Sequence, residues 1–260
     1  MFWNLLLAAS LSLQYVAKAH GQSGFLDPKL SGGSMLTYTL ETVPANLGEP
    51  LNVIVSNQSS PRVLAETMWE GGLYNYLEAA GFGGECLGLQ MGNYQQSNLG
   101  DGNRNQTQRS ILRYQYFHDD ILGTCLESIY GGNHIRVFRQ ETRWASSLRI
   151  GAYFFSTSAE MDSTTHHNLG LNAYDLGRNL FVGNATGVVI GDDVTTSTVI
   201  EGGIEKRGYR YKTVVTFEDG LLPENRSEYS HFLKLVVQLV GGAVSDGLVA
   251  VLTIDVLSTP

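Results

Sequence analysis

The sequence predicts an α/β (α+β) fold, a single domain in which a mixed β-sheet carries two or more packed helices. Three observations lead there. Leu51, Asn52, Val53, Ile54 and Val55 form a β-branched run of strand type, and apolar residues at helical spacing follow at Leu73, Tyr76, Leu77 and Ala80. A second strand-to-helix passage leads from His134 through Ser156 to the segment after Asn172. In 248–257 both alternating sets of side chains are mostly apolar, as in a strand covered on both faces.

Taken in order, residues 1–19 read as a secretory signal. Phe2 to Leu13 is an apolar run, and Ala17 and Ala19 stand at the two positions a signal peptidase reads. The run is too short for a bilayer span, which needs about 20 residues. Cleavage leaves His20 at the new terminus, or Gln22 if it falls after Gly21. Residues 20–50 hold Pro28, Gly32, Gly33, Pro44 and Pro50 without periodicity and read as an irregular arm, with the single domain occupying 51–260.

Within the domain, Ser60 is placed to cap a helix with Pro61 at its first position and Leu64 and Met68 on one face; Gly81 is the stop. A strand is expected over 86–91. Asn93 to Gln108 is polar and rich in Gly and Asn, an exposed loop. Its Asp101, Asn103 and Asn105 imitate a calcium loop, but Gln106 stands where glycine is needed and Leu112 where a bidentate Glu is needed. Strands are expected over 134–140 and 148–156. In the first, Ile135 and Val137 share one face and His134, Arg136 and Phe138 the other. Asn172 caps a helix whose Ala173, Leu176 and Leu180 face the core, while Asp175 and Arg178 share another face. Further strands are expected over 195–200 and 209–217, and 232–240 suits either a buried helix or a strand.

The net charge is −8 and only 16% of residues are charged, which argues against nucleic acid and anionic membranes as partners. No stretch after the signal has the length of a transmembrane helix, so stable membrane insertion is not expected. Asp255 interrupts the C-terminal apolar run and makes it a poor lipid-anchor signal. A secreted, extracellular glycoprotein accounts for four Asn-X-Ser/Thr sequons, at Asn57, Asn105, Asn184 and Asn225. It also accounts for the two cysteines, Cys86 and Cys125, read as a disulfide rather than two buried thiols. Closing that loop is worth about 4 kcal/mol.

Chemistry-bearing residues concentrate between Gly131 and Val182. The chain holds no nucleophile elbow, no His-Glu-x-x-His, no phosphate-cradling glycine loop and no Cys-x-x-Cys. His134 and Arg136 project from the same side of one strand, while His166 and His167 precede a helix start that favours anions. An anion-binding pocket of His134, Arg136, His166 and Asp175 follows, binding a small anionic ligand. A catalytic version uses His134 or His167 as general acid/base with Arg136 or Arg178 stabilising charge. The histidines with Asp175 are an alternative metal set, although no resident metal or cofactor is expected. The competing structural reading makes Asp175 and Arg178 a surface ion pair, His134 a core histidine and His166-His167 a solvated loop.

The order of Leu51 to Val55, Ala79-Ala80-Gly81-Phe82, His134 to Arg139, and Thr165-His166-His167 with Asp175 and Arg178 resembles the LssY C-terminal domain over about residues 51–185. The chain also resembles a group of secreted basidiomycete proteins through Gly48 to Val53, Glu85-Cys86-Leu87-Gly88, Gly123 to Ser128 and Gly131 to His134. The resemblance implies the fold and points to His134, Arg136, His166, His167, Asp175 and Arg178. It departs at Gly177-Arg178-Asn179, where the LssY family tends to Glu-Arg-Asp. The expected function is a secreted binding or interaction protein. The alternatives are a phosphoester hydrolase, a surface protein recognised through its glycans and loops, and a copper protein using His20 as an N-terminal ligand. Nothing in the sequence bears on oligomeric state.

Overall fold

At the centre of the sheet lies β1 (Val53–Val55), a strand buried along its whole length. Val53 and Val55 point into one apolar core and Ile54 into a second, so the sheet is covered on both faces. The structure, a computed structural model, describes residues 24–39, 48–89, 94–141, 151–170, 172–222 and 245–257. The expected signal, His20, the Asn225 sequon and the 232–240 segment lie outside them.

Seven further strands complete the curled sheet: β2 (Phe82–Gly83), β5 (Ser110–Tyr114), β6 (Gly132–Arg139), β7 (Tyr153–Glu160), β8 (Val199–Lys206), β9 (Tyr209–Glu218) and β10 (Val249–Leu257). Their order is β2-β5-β6-β7-β1-β10-β9-β8. The β1–β10 pair is parallel and every other pair antiparallel, which makes the sheet mixed. Among the described residues three α-helices accompany it, α1 (Leu73–Ala79), α2 (Gly123–Tyr130) and α3 (Ala173–Thr186). The α+β architecture is therefore the one expected.

The two faces divide the sequence cleanly. Ile135, Val137, Tyr153 and Phe155 join α1 and α3 in the first core, where the Phe181 ring meets Phe155 edge-on and Phe82 at a tilt. Phe138, Phe154 and Val251 face the second core, closed by Phe25 and Met35 of the irregular arm and by Leu51 just ahead of β1. Over 94–108, where an exposed loop is expected, β3 (Gln96–Asn98) and β4 (Asn105–Thr107) form a hairpin. Gln95, Ser97, Leu99 and Gln108 are buried there, so polar residues supply an inner layer.

Three local expectations change. Ser60 caps no helix, because its hydroxyl accepts from Val256 N (3.1 Å) on the neighbouring strand; turns fill 61–71 and the helix begins at Leu73. In place of a strand at Cys86, a 3-10 turn spans Cys86–Gly88, with Leu87 at φ 53° beside the disulfide to Cys125. On α3, Leu176 and Leu180 are exposed, and Tyr174, Gly177, Arg178, Phe181, Val182 and Ala185 face inward with Ala173.

Gly177 sets how closely α3 approaches the sheet. A Cβ there would stand 2.6 Å from Ser158 Cα and 2.7 Å from its N and C, all backbone atoms of β7 that cannot swing aside. We expect Gly177→Ala to cost about 1–3 kcal/mol by overpacking. Urea unfolding would show this as a lower midpoint at unchanged slope, and an unchanged midpoint would mean that the helix lifts from β7 without cost.

Candidate functional site

The site grows from the register of β5, β6 and β7. Arg113 pairs with His134, and His134 pairs with Ser158, so Arg113 and His134 lie side by side on the second face. Glu160 follows Ser158 by two positions and points to the same face. Two further acids arrive through the disulfide: Glu85 precedes Cys86, and Glu127 lies on α2 one residue beyond the neighbour of Cys125. The bridge spans a sequence separation of 39 and brings both acids to the same guanidinium.

Arg113 donates from Nε to Glu85 Oε1 (3.2 Å) and from NH1 to Glu127 Oε2 (3.1 Å) and Glu160 Oε2 (3.0 Å). His134 Nδ1 stands 3.3 Å from Glu160 Oε1 without being aligned as a hydrogen bond. His167 Nδ1 approaches Glu160 Oε2 at 3.6 Å. The loop carrying it is turned by left-handed backbone at both His166 and His167, then tied back by Met161 N donating to Asn168 O (2.9 Å).

One guanidinium cannot neutralise three carboxylates, and burial sharpens the imbalance. Desolvation, opposed by Arg113 and reinforced by Glu160, pushes the Glu127 carboxyl up to about 7. Burial disfavours charge on Arg113, but the carboxylates outweigh it and hold its pKa above the ordinary value. His134 is fully buried, and desolvation lowers it to about 4, so its imidazole is neutral at pH 7. The side chains of Glu127 and Arg113 are 0% and 9% exposed, whereas Glu160 and His167 reach 13% and 32%. Glu160 and His167 are thus the cluster's contact with solvent.

The remaining residues singled out in the sequence lie elsewhere. Arg136 donates from Nε to both Glu49 oxygens (3.2 Å each) and from NH1 to Gln108 Oε1 (2.9 Å). Glu49 also accepts from Gln95 Nε2 (2.7 Å) and Ser156 Oγ (2.9 Å), and Gln95 bonds Thr37, so this buried network fastens arm and hairpin to the sheet. Arg178, almost wholly buried, donates to both oxygens of Asp246 (2.6 and 2.9 Å) and to Leu248 O (2.8 Å). Asp175 accepts from Ser245 Oγ and Asp246 N, and burial together with Asp246 raises its pKa. Asp175 and Arg178 therefore form an interior knot instead of a surface pair. His166 is exposed and ends the 3-10 turn Ser163–Thr165. The structure brings His134 and His167 together at Glu160, leaves Arg136 on the same face of β6 as His134 but bonded to Glu49, and places Asp175 with Arg178 against 245–248.

The acids Glu85, Glu127 and Glu160 and their partner Arg113 escaped sequence reading. One signal was present: each cysteine has a glutamate within two residues, so a Cys86–Cys125 bridge necessarily gathers two acids. Among the described residues, no group of three His, Cys, Asp or Glu side chains is arranged to hold a metal. Asn57 and Asn105 are exposed, and Asn184 is half-buried on α3.

Two predictions follow from these pairings. Truncating Arg178 leaves Asp246 and Asp175 without their cation, so Arg178→Ala should destabilise by about 3 kcal/mol, visible in the urea midpoint. The second concerns pH. His134 falls from 6.5 unfolded to about 4 folded, so its contribution is present above pH 6.5 and lost as pH falls toward 4. Glu127 rises from 4.5 to about 7, so folding is favoured below 4.5 and that gain disappears as pH rises toward 7. The slopes oppose each other between the two ranges. Glu127→Gln removes one of them, and acidification from pH 6.5 to 4.5 should then cost the variant about 1–2 kcal/mol more than wild type. Parallel pH profiles for the two proteins would refute the assignment.

Compared with protein-family models, curated proteins and solved structures, the chain finds no match in any of the three.

Proposed function

We propose that the protein is a secreted, N-glycosylated binding protein whose ligand-facing groups are Glu160 and His167, at the solvent edge of the Arg113 cluster. The observation that carries this reading is one guanidinium shared by three carboxylates, with two of its neighbours reaching solvent. The nitrogens of His134 and the Nδ1 of His167 are buried without a hydrogen-bond partner among the described residues, and Glu160 lies between the two rings. Such a site is short of positive charge and of donors. Its fitting ligand is a small cation that donates hydrogen bonds, an ammonium or guanidinium group.

The charge sum runs against the anionic ligand expected from the sequence. Arg113, Arg136 and Arg178 each contact carboxylates of the chain itself, so a phosphate would have to displace an internal acid. It also runs against phosphoester hydrolysis, because His134, Arg136 and Arg178 are buried and only His167 of the expected acid/base and charge-stabilising groups reaches solvent. The LssY-type kinship belongs to the proposal through the order of its motifs. Extracellular location is supported by the Cys86–Cys125 bridge, and no helix among the described residues is long and apolar enough to cross a membrane.

Isothermal titration with spermidine, methylguanidinium and inorganic phosphate tests the reading. We expect heat from a cationic probe, lost in Glu160→Gln while the thermal melt of the variant stays two-state. Phosphate binding in place of cation binding, or hydrolysis of p-nitrophenyl phosphate lost in His167→Ala, would overturn it.

A further inference from the structure

The outward face of α3 carries an apolar groove with a sequon at its end. Leu176, Leu180 and Asn184 follow one another at i, i+4 and i+8 and share a stripe of the helix. Leu176 and Leu180 are each 43% exposed, and the chain after the helix adds Val188 (39%) and Val189 (98%). With Ala80, Gly183, Ile190 and Asp192 these residues line a cavity of about 430 Å³. That volume lies within the range of small-molecule sites. The face departs from the amphipathic pattern, which would put polar residues on the solvent side of such a helix.

We propose that the groove is the seat of an N-linked sugar on Asn184, whose first N-acetylglucosamine lies over Leu180 and Leu176 and covers them. Helical side chains lean toward the N-terminus and cover the turn before their own Cα. A group attached at Asn184 Nδ2 is thereby aimed back over Leu180, with Val188 and Ile190 as the opposite wall. The apolar face of a pyranose ring can cover leucine side chains while its hydroxyls remain in water.

The geometry also dates the modification. Thr186, the third residue of the sequon, is buried, and its hydroxyl donates to Val182 O (2.7 Å) inside the helix. The folded sequon is closed to a transferase. The sugar must reach the chain before α3 forms, from a lipid-diphosphate-linked oligosaccharide in the secretory pathway. In that step Asn184 Nδ2 gives up a proton and bonds to the anomeric carbon, the bond from that carbon to the phosphate oxygen breaks, and the lipid diphosphate leaves. Asn57 and Asn105 differ in being exposed in the folded chain.

This inference rests on the secreted reading above, and one experiment separates the two. The protein is secreted from a eukaryotic host, and sequon occupancy is read by peptide mass spectrometry after enzymatic release in ¹⁸O water. Binding of the apolar dye ANS is then compared among the glycosylated protein, the Asn184→Gln variant and wild type from which the native glycans have been removed. We expect Asn184 to be occupied, and dye fluorescence to rise in Asn184→Gln and on native deglycosylation but not in Asn57→Gln or Asn105→Gln. Occupied Asn57 or Asn105 with an empty Asn184 overturns the seat and leaves secretion standing, whereas no occupancy at any sequon overturns both. Occupied Asn184 with dye binding unchanged by removal of its sugar overturns the covering role.

Discussion

A guanidinium cannot shed its charge inside a protein, so a buried arginine draws carboxylates in with it. Three arginines impose that constraint here. Arg136 draws Glu49 of the arm onto β6, Arg113 draws the Glu85 turn and α2 onto β5, and Arg178 draws 245–248 onto α3. Each acid comes from a segment that is not a neighbouring strand. Pairs of this kind add little net stability over apolar packing, yet leaving one member unpaired is costly, so they penalise incorrect docking of the peripheral layers.

The same constraint explains the two faces of the sheet. The first is an ordinary apolar core, Val53, Val55, Ile135, Val137 and Phe155 against α1 and α3. The second alternates apolar patches with ionic networks, because His134 and Arg136 share it with Phe138 on β6. A strand with that composition can be covered only if polar side chains return to meet it. The arm and the β3–β4 hairpin do so with Thr37, Glu49, Gln95 and Gln108.

Around α2 the backbone adopts unfavourable conformations repeatedly. Leu87, Phe117, His118, His166 and His167 all have positive φ, in or directly after 3-10 turns that pack against α2. Positive φ is uncommon for residues of this bulk and persists only where the surroundings enforce it. The disulfide at Cys86 and the hydrogen bonds of the 161–168 loop supply that enforcement. These five positions gather at the edge where Glu160 and His167 reach solvent, and Glu70, Arg104, Asn172 and Arg207 take positive φ singly elsewhere.

Much of the fold was legible in the sequence because period and branching are local properties. Alternation in β6, the apolar run of β10 and the helix after Asn172 were readable from short windows, and the cysteine pairing from there being two cysteines in the chain. The candidate site was legible only in part. His134 and His167 stood out, but their charged partners did not, since Glu160 meets Arg113 across 47 positions and Glu49 meets Arg136 across 87. The helix pattern itself misled at Leu176 and Leu180, where apolar side chains face outward, and at Arg178, which Asp246 holds inside. Local periodicity determined most of the segments that become strands and helices. Which charges meet, and therefore which residues form a site, was decided by tertiary structure alone, because the energy of a buried charge depends on partners that no short window contains.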